Sequence, residues 1–433
     1  MVTTIFTSDT KPSRDEFYTN YPFFKYWNKQ YNNPFLSPDQ LNIYIHFPYC
    51  VQKCDYCFYK TDQYKSPSEI DKYVNALCSE IKLISNYFNL KKRPVDSIYM
   101  GGGTPSLLKE HQFNKISETL HKYHSIGDTE FTIEAEPGTF NRNKIKWYEK
   151  AGVNRISIGV QSFEDEIIRL SSRKHTAKQA IESINLLKEF ENLTFNIDLL
   201  SGLAGESLAT FQQSVDIALQ KEVKMLTIYK MIAYANTSFF NKSVRKKEIS
   251  LPSSAEEAEF YESVVTKILE AGYYMWSTFA FTKNIYLHRY IENTWRGKDC
   301  AAYGVSAFGK MGDFLYQNFN ITEIYVENIF NDKIPVYRSY KLSVKDMIVK
   351  ELLLCVARLN SYTKKEFIDK FGFDYYNLIP ETINDLYKSG YIENNNSDLT
   401  LTKKGIVYGD YVGKILASAV KEKLGNDDIG FTY

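Results

Sequence analysis

Residues 42–57 read NIYIHFPYCVQKCDYC, and this stretch decides the fold. Asn42–Phe47 is short and rich in β-branched and aromatic side chains, and it ends in a turn. The pattern predicts a strand followed at once by a loop carrying Cys50, Cys54 and Cys57. Three thiolates can hold three irons of a [4Fe–4S] cube and leave the fourth iron open to another ligand. Structural zinc is the competing use of such cysteines. It takes four ligands, usually as two separated pairs, and the sequence has no second CxxC or Cys/His pair.

Downstream, five more short runs have strand character: Val95–Met100, Glu130–Ala135, Asn154–Val160, Leu193–Leu200 and Met225–Tyr229. Amphipathic stretches separate them. One is introduced by Ser66-Pro67-Ser68-Glu69, a capping box with proline at the first helical position. This alternation predicts an α/β fold, a partial (β/α)6 barrel whose ligands gather at the C-terminal ends of its strands. The expected organisation is an N-terminal segment, 1–40, covering the active site, and a core barrel, 41–240. An extension, 241–342, follows as the second-cofactor and substrate region, with a helix near Ala255–Ala271, strands near Tyr273–Phe279 and a glycine-punctuated stretch at Ala302–Gly309. The last part, 343–433, reads as a helical, winged-helix-like domain with a strand pair in GYIENNNSDLTLTKKG and a final helix from Ile406. Such a module serves as a lid or docking element as often as it binds DNA, so no DNA contact is inferred.

The formal net charge of +1 over 433 residues gives no reason to expect a bulk electrostatic partner, and neither nucleic acid nor membrane is expected. The first residues lack the apolar run of a signal peptide, which places the protein in the cytoplasm. Six cysteines in so long a chain are too few for a disulfide scaffold. Cys78 and Cys355 fall in apolar helical patterns and read as core, whereas Cys300 is a candidate substrate-facing thiol. The 34 tyrosines and 28 phenylalanines fit either large core side chains or an aromatic pocket for a flat substrate.

The CxxxCxxC spacing, with GGGTP at 101–105, IEAEP at 133–137, IGVQSF at 158–163, Arg173 and NIDLLSGL at 196–203, resembles the radical S-adenosylmethionine (SAM) superfamily. Within it the chain resembles the oxygen-independent coproporphyrinogen III dehydrogenase-like family, which includes the related two-SAM class C methylases. YTNYP at 18–22, LHR at 287–289, YGVSAFG at 303–309 and YQN at 316–318 extend the likeness nearly end to end. The resemblance implies that SAM chelates the open iron and that one electron cleaves it to a 5′-deoxyadenosyl radical. It assigns Gly102, Gly103, Thr104, Glu134, Gln161, Arg173 and Asp198 to the first SAM, with Tyr44 and Phe58 beside it. Gly304, Ser306 and Ala307 are assigned to a possible second SAM. It further implies a monomer, an electron donor such as flavodoxin or ferredoxin, and a small planar or conjugated substrate.

Three departures bear on the reaction. Tyr59 stands where the dehydrogenases have a further, non-ligating cysteine. Glu292-Asn293-Thr294 replaces their Gln-Gly-Tyr, which sets a new carboxylate where propionates would be read. The His-Asn-x-x-Tyr of the related haem chaperones is absent before Trp295, leaving His288 as the nearby candidate ligand. The leading expectation is therefore radical methylation or cyclopropanation of an sp² carbon using two SAM molecules. The alternatives are a tetrapyrrole enzyme, by coproporphyrinogen III decarboxylation or anaerobic haem ring-opening, and a haem-binding, chaperone-like protein.

Overall fold

The computed structural model describes residues 21–22, 24–28, 40–64, 66–283, 288–393 and 398–425. Strand β1 (Leu41–Phe47) is followed by a short parallel pair, β2 (Tyr49–Cys50) and β3 (Asp62–Gln63), which ties the two ends of the cysteine loop together. Next come β4 (Pro94–Gly102), β5 (Ser125–Ala135), β6 (Arg155–Gln161), β7 (Thr194–Ser201) and β8 (Met225–Lys230). They lie parallel in the order β1-β4-β5-β6-β7-β8, the six predicted units side by side.

At the β8 edge the sheet continues into an antiparallel hairpin, β9 (Tyr274–Ser277) and β10 (Ala280–Thr282). At the other edge β11 (Cys300–Tyr303) joins β1 in parallel, and β12 (Phe308–Met311), β13 (Phe314–Asn318) and β14 (Val336–Lys341) extend it antiparallel. Among the described residues this is one open twelve-stranded array, a partial barrel.

Parallel strands are buried on both faces, and β1 is accordingly buried at every position but Tyr44, the polar Asn42 and His46 included. Ile43, Ile45, Ile98, Ile133, Ile156 and Ile197 are fully buried in the main core. Each such side chain contributes about 1.5–3 kcal/mol on burial. The helix Pro67–Tyr87 starts as its sequence predicts: Ser66 Oγ accepts from the Glu69 amide at 3.3 Å. It packs along the helix Glu110–Tyr123.

The C-terminal elements gather a second apolar cluster around Val349, Leu353, Val412 and Leu416, which reaches Trp276 and Trp295 beside the sheet. Two expectations change here. The strand pair contracts to one described bridge, Ile392 to Leu401. The single helix expected from Ile406 is two, Lys403–Val407 and Gly409–Lys423, broken at Tyr408. Gly409 opens the second helix against the sheet, and a Cβ there would stand 2.6 Å from Thr278 Cγ2, so the helix start packs this closely only with glycine. Of the N-terminal segment, residues 1–20, 23 and 29–39 lie outside the described residues, as does Leu287 of the LHR motif. The described part meets the β14 edge: Asn28 bridges to Ser339, and Tyr21 donates to Asp346 at 3.3 Å. No helix among the described residues is long and apolar enough to cross a membrane.

Candidate active site

Cys50 ends β2, and Cys54 and Cys57 sit on the turn that follows; all three are free thiols. The turn is held from several sides. The Cys57 amide donates to Cys54 O at 3.1 Å, the Asp55 amide to Ser171 O at 3.2 Å, and Thr104 Oγ1 to Cys50 Sγ at 3.5 Å. The Gly103 amide donates to Phe47 O at 2.6 Å. A Cβ there would lie 2.7 Å from Pro48 C and Tyr49 O, so only glycine lets the β4 turn close on the cysteine strand.

Burial pushes the Cys50 thiol up to about 12 and the Cys57 thiol to about 11, so both stay protonated until iron supplies the positive charge that makes them thiolates. No trio of His, Cys, Asp or Glu among the described residues converges on a single-ion position. Thiolates that each bind a different iron of a cube need not converge.

Next to the cysteines, Glu134 Oε1 accepts from Tyr99 Oη at 2.7 Å and Oε2 from the Gly102 amide at 2.9 Å. Burial raises this carboxyl to about 7. Asp198 accepts from Ser157 Oγ at 3.0 Å and from Asn196 Nδ2 at 2.7 Å, and burial raises it as well. Arg173 donates to Gly159 O at 2.6 Å and Tyr56 Oη at 2.8 Å, stands 3.6 Å from Cys54 Sγ, and pairs with Glu136 at 3.3 Å. Burial pushes Glu136 up, but the His175 hydrogen bond and the Arg173 guanidinium outweigh it and hold the carboxyl below its usual range. Gln161 takes a left-handed φ of 68° where β6 ends. Such backbone strain gathers at ligand sites.

These groups line one cavity of about 400 Å³, together with the three cysteines, Phe58, Gly102, Gly103 and Thr104. That volume lies in the range of small-molecule sites. Phe58 stacks on Tyr59 at 4.3 Å and meets Tyr234 at 4.5 Å. Tyr44 lies off the lining, behind Tyr99, with its hydroxyl 3.0 Å from His46 Nδ1.

Gly304, Ser306 and Ala307 are not brought to this cavity. A Cβ on Gly304 would meet His46 O at 2.4 Å, Ser306 Oγ accepts from Gln317 Nε2, and Ala307 is fully buried. Glu292 pairs with Arg296 at 3.1 Å and also leaves the lining, so the expected intrusion of a carboxylate into the substrate site is corrected. His288 is buried 3.3 Å from Arg155, and Cys300 is buried under Tyr290; neither lines the cavity.

Sequence reasoning missed the far wall of the chamber. Tyr229, Phe279 and Trp295 form it with Tyr408, Asp410 and Tyr411 from the broken C-terminal helix. Arg358, wholly buried, donates to Asp410 Oδ1 at 2.9 Å and fixes that carboxylate in the wall. The available signal was Gly409 between two tyrosines, a glycine where a helix was expected.

Residues 44–218 match the radical SAM superfamily, spanning the cysteine loop and most of the cradle just described. The heme chaperone HemW of Bacillus subtilis (strain 168) is 30% identical over 376 residues, covering 86% of this chain and 97% of the relative. This is a radical SAM protein. The radical SAM chain belongs with the oxygen-independent coproporphyrinogen III oxidases and the HemW proteins. The Helicobacter pylori oxygen-independent coproporphyrinogen III oxidase is 24% identical over 417 residues, 90% of each chain. The solved Escherichia coli coproporphyrinogen III oxidase, HemN, shares the fold, with a TM-score of 0.79 at 20% identity over 93% of this chain and 97% of its own. The cofactors of this chain are a [4Fe–4S] cluster and SAM, and its free cysteine trio beside a buried carboxylate, an arginine and a glycine turn fits both.

Proposed function

We propose that this protein is a radical SAM enzyme acting on a cyclic tetrapyrrole. The observation that carries the reading is the shared chamber: the cysteine loop and the aromatic wall of Tyr229, Phe279, Trp295, Tyr408 and Tyr411 line one cavity. A flat conjugated ring gains dispersion and stacking from such a wall. The relatives' own names, heme chaperone and coproporphyrinogen III oxidase, concern tetrapyrroles. The position of Gly304, Ser306 and Ala307 outside the cavity removes the main support for a second SAM, and with it for methyl transfer.

In this reading Cys50, Cys54 and Cys57 hold the cluster, which with SAM supplies a one-electron cleavage to a strongly hydrogen-abstracting carbon radical. Glu134, once ionised, accepts hydrogen bonds from the SAM ammonium. The Arg173 guanidinium, its N–H groups held by Gly159 O, Tyr56 Oη and Glu136, brings a fixed positive charge that suits the SAM carboxylate. Asp198 and Gln161 take ribose hydroxyls. The aromatic wall orients the substrate and keeps water away from the reacting carbon. Asp410, held by Arg358, faces the substrate as an acceptor for pyrrole N–H groups.

The test is to reconstitute the protein anaerobically, reduce it with SAM plus haem or coproporphyrinogen III, and measure 5′-deoxyadenosine, S-adenosylhomocysteine and the tetrapyrrole product by mass spectrometry. 5′-Deoxyadenosine rising with a changed tetrapyrrole is the expected result. Stoichiometric S-adenosylhomocysteine restores the methylation reading, and tight haem binding with no cleavage at all moves the protein to the chaperone class.

A further inference from the structure

The cluster takes its electron from outside the chain, so a surface near it must receive the donor. The loop between Cys54 and Cys57 is braced by the segment after β8. The Phe239 amide donates to Asp55 O at 2.9 Å, and Lys242 Nζ pairs with Asp55 Oδ2 at 2.6 Å. From there the chain makes one wide helical turn, Asn241–Arg245, and continues through Lys246 and Lys247 to Glu248. Val244, Arg245, Lys246 and Lys247 are exposed, and so are Val51 and Lys53 of the cluster loop itself. Five cations, Lys53, Lys242, Arg245, Lys246 and Lys247, therefore stand against two carboxylates, Asp55 and Glu248, in a chain whose whole net charge is +1. Two of the cations are matched by those carboxylates; Arg245 lies over the Phe240 ring instead.

We propose that this basic surface docks an acidic one-electron carrier protein, which passes its electron inward across the Cys54–Cys57 loop. Charge complementarity selects an acidic partner and speeds encounter. Val51, 50% exposed, and Val244, 55% exposed, add apolar area to the contact. The bookkeeping is simple: the carrier is oxidised by one electron and the cluster reduced by one. The proposal rests on the radical SAM assignment and not on the tetrapyrrole reading, and its test contains no tetrapyrrole.

The test uses the full chain with its cluster and the triple variant Arg245→Glu, Lys246→Glu, Lys247→Glu, with an acidic flavodoxin as probe. Stopped-flow bleaching of the cluster reports electron transfer, and titration calorimetry reports binding. For the parent, raising ionic strength from about 0.01 M to about 0.15 M, which shortens the screening length from ~30 Å to ~8 Å, is expected to slow the bimolecular reduction. The triple variant is expected to be at least about tenfold slower at low salt and nearly salt-independent. The neutral variant Arg245→Gln, Lys246→Gln, Lys247→Gln should fall between. Reduction by photoreduced deazaflavin, a small reductant that needs no docking surface, should match in all three proteins. Equal flavodoxin rates in parent and triple variant overturn the proposal. So does an equal loss with deazaflavin, which would locate the effect in the cluster loop, and so does binding to anionic vesicles or RNA without flavodoxin binding.

Discussion

Replacing Glu80 by glutamine changes one atom of a side chain that is 1% exposed and holds three parts of the fold together. Its Oε2 accepts from the Gly304 amide and from Tyr325 Oη, each at 2.6 Å, and its Oε1 from Asn318 Nδ2 at 2.6 Å. These bonds fasten the turn after β11, strand β13 and the helix Thr322–Phe330 to the helix Pro67–Tyr87. Burial nevertheless outweighs the three donors and raises the carboxyl from 4.5 to about 7. The sign follows from which state ionises first. Below 4.5 folded and unfolded chains are both protonated. Between 4.5 and about 7 the unfolded chain releases its proton while the folded one keeps it, so stability falls as pH rises. At about 1.4 kcal/mol for each pH unit, the loss is about 3 kcal/mol, complete above pH 7. The amide cannot ionise and escapes this loss, although its NH₂ faces a donor and costs roughly 1–3 kcal/mol at every pH. Urea unfolding of both proteins at pH steps from 5 to 8, followed by circular dichroism, isolates Glu80, because other titrations cancel in the difference. The expected outcome is a Glu80→Gln variant that is the weaker protein in acid and gains about 2–3 kcal/mol on the parent by pH 7.5. A difference that stays flat across pH would refute the argument.

Three further outcomes are expected. SAM binding to the cluster-loaded protein should tighten as pH rises through about 7, where Glu134 ionises, with close to a tenfold change per unit below that point; Glu134→Gln should bind weakly and without this slope, as read by calorimetry. Gly304→Ala should lower the melting temperature by several degrees, because its φ of 101° and the His46 carbonyl 2.4 Å from the added Cβ together cost at least about 2 kcal/mol; an unchanged melt would contradict the close approach. Trp295→Ala should weaken haem or porphyrin binding about tenfold or more by fluorescence quenching, while iron content and SAM binding remain at parent levels.

The parallel core was legible because buried strands of a parallel sheet announce themselves as short apolar runs, and all six fall within a few residues of their sequence positions. That the residues assigned to the first SAM share one cavity was legible for a related reason. Glu134 and Gln161 sit at or beside strand ends and Asp198 three residues before one, so reading the strands also places them toward one end of the sheet. What periodicity does not carry is contact between distant elements. The apolar pattern after Ile406 shows a helix but not that Gly409 packs against Thr278, nor that the helix is interrupted at Tyr408, which lines the chamber. Glu292 misled for the same reason: its partner Arg296 is visible one helical turn away, but the direction of the pair is set by Glu366 and Ser361, which sequence proximity does not suggest.

The broken helix also sets an order of events during synthesis. Every residue assigned to the first SAM is made by position 198, whereas Tyr408, Asp410 and Tyr411 come more than 200 residues later. A chain still on the ribosome, or cut short before residue 408, would have its thiols and cradle but a chamber with one side missing. Such a chain would generate its radical beside open solvent and spend SAM without product. Placing that wall so far downstream of the cysteine loop makes continuation of the polypeptide through residue 411 a condition for a closed chamber, so a chain cut before it would be expected to release 5′-deoxyadenosine without a transformed substrate.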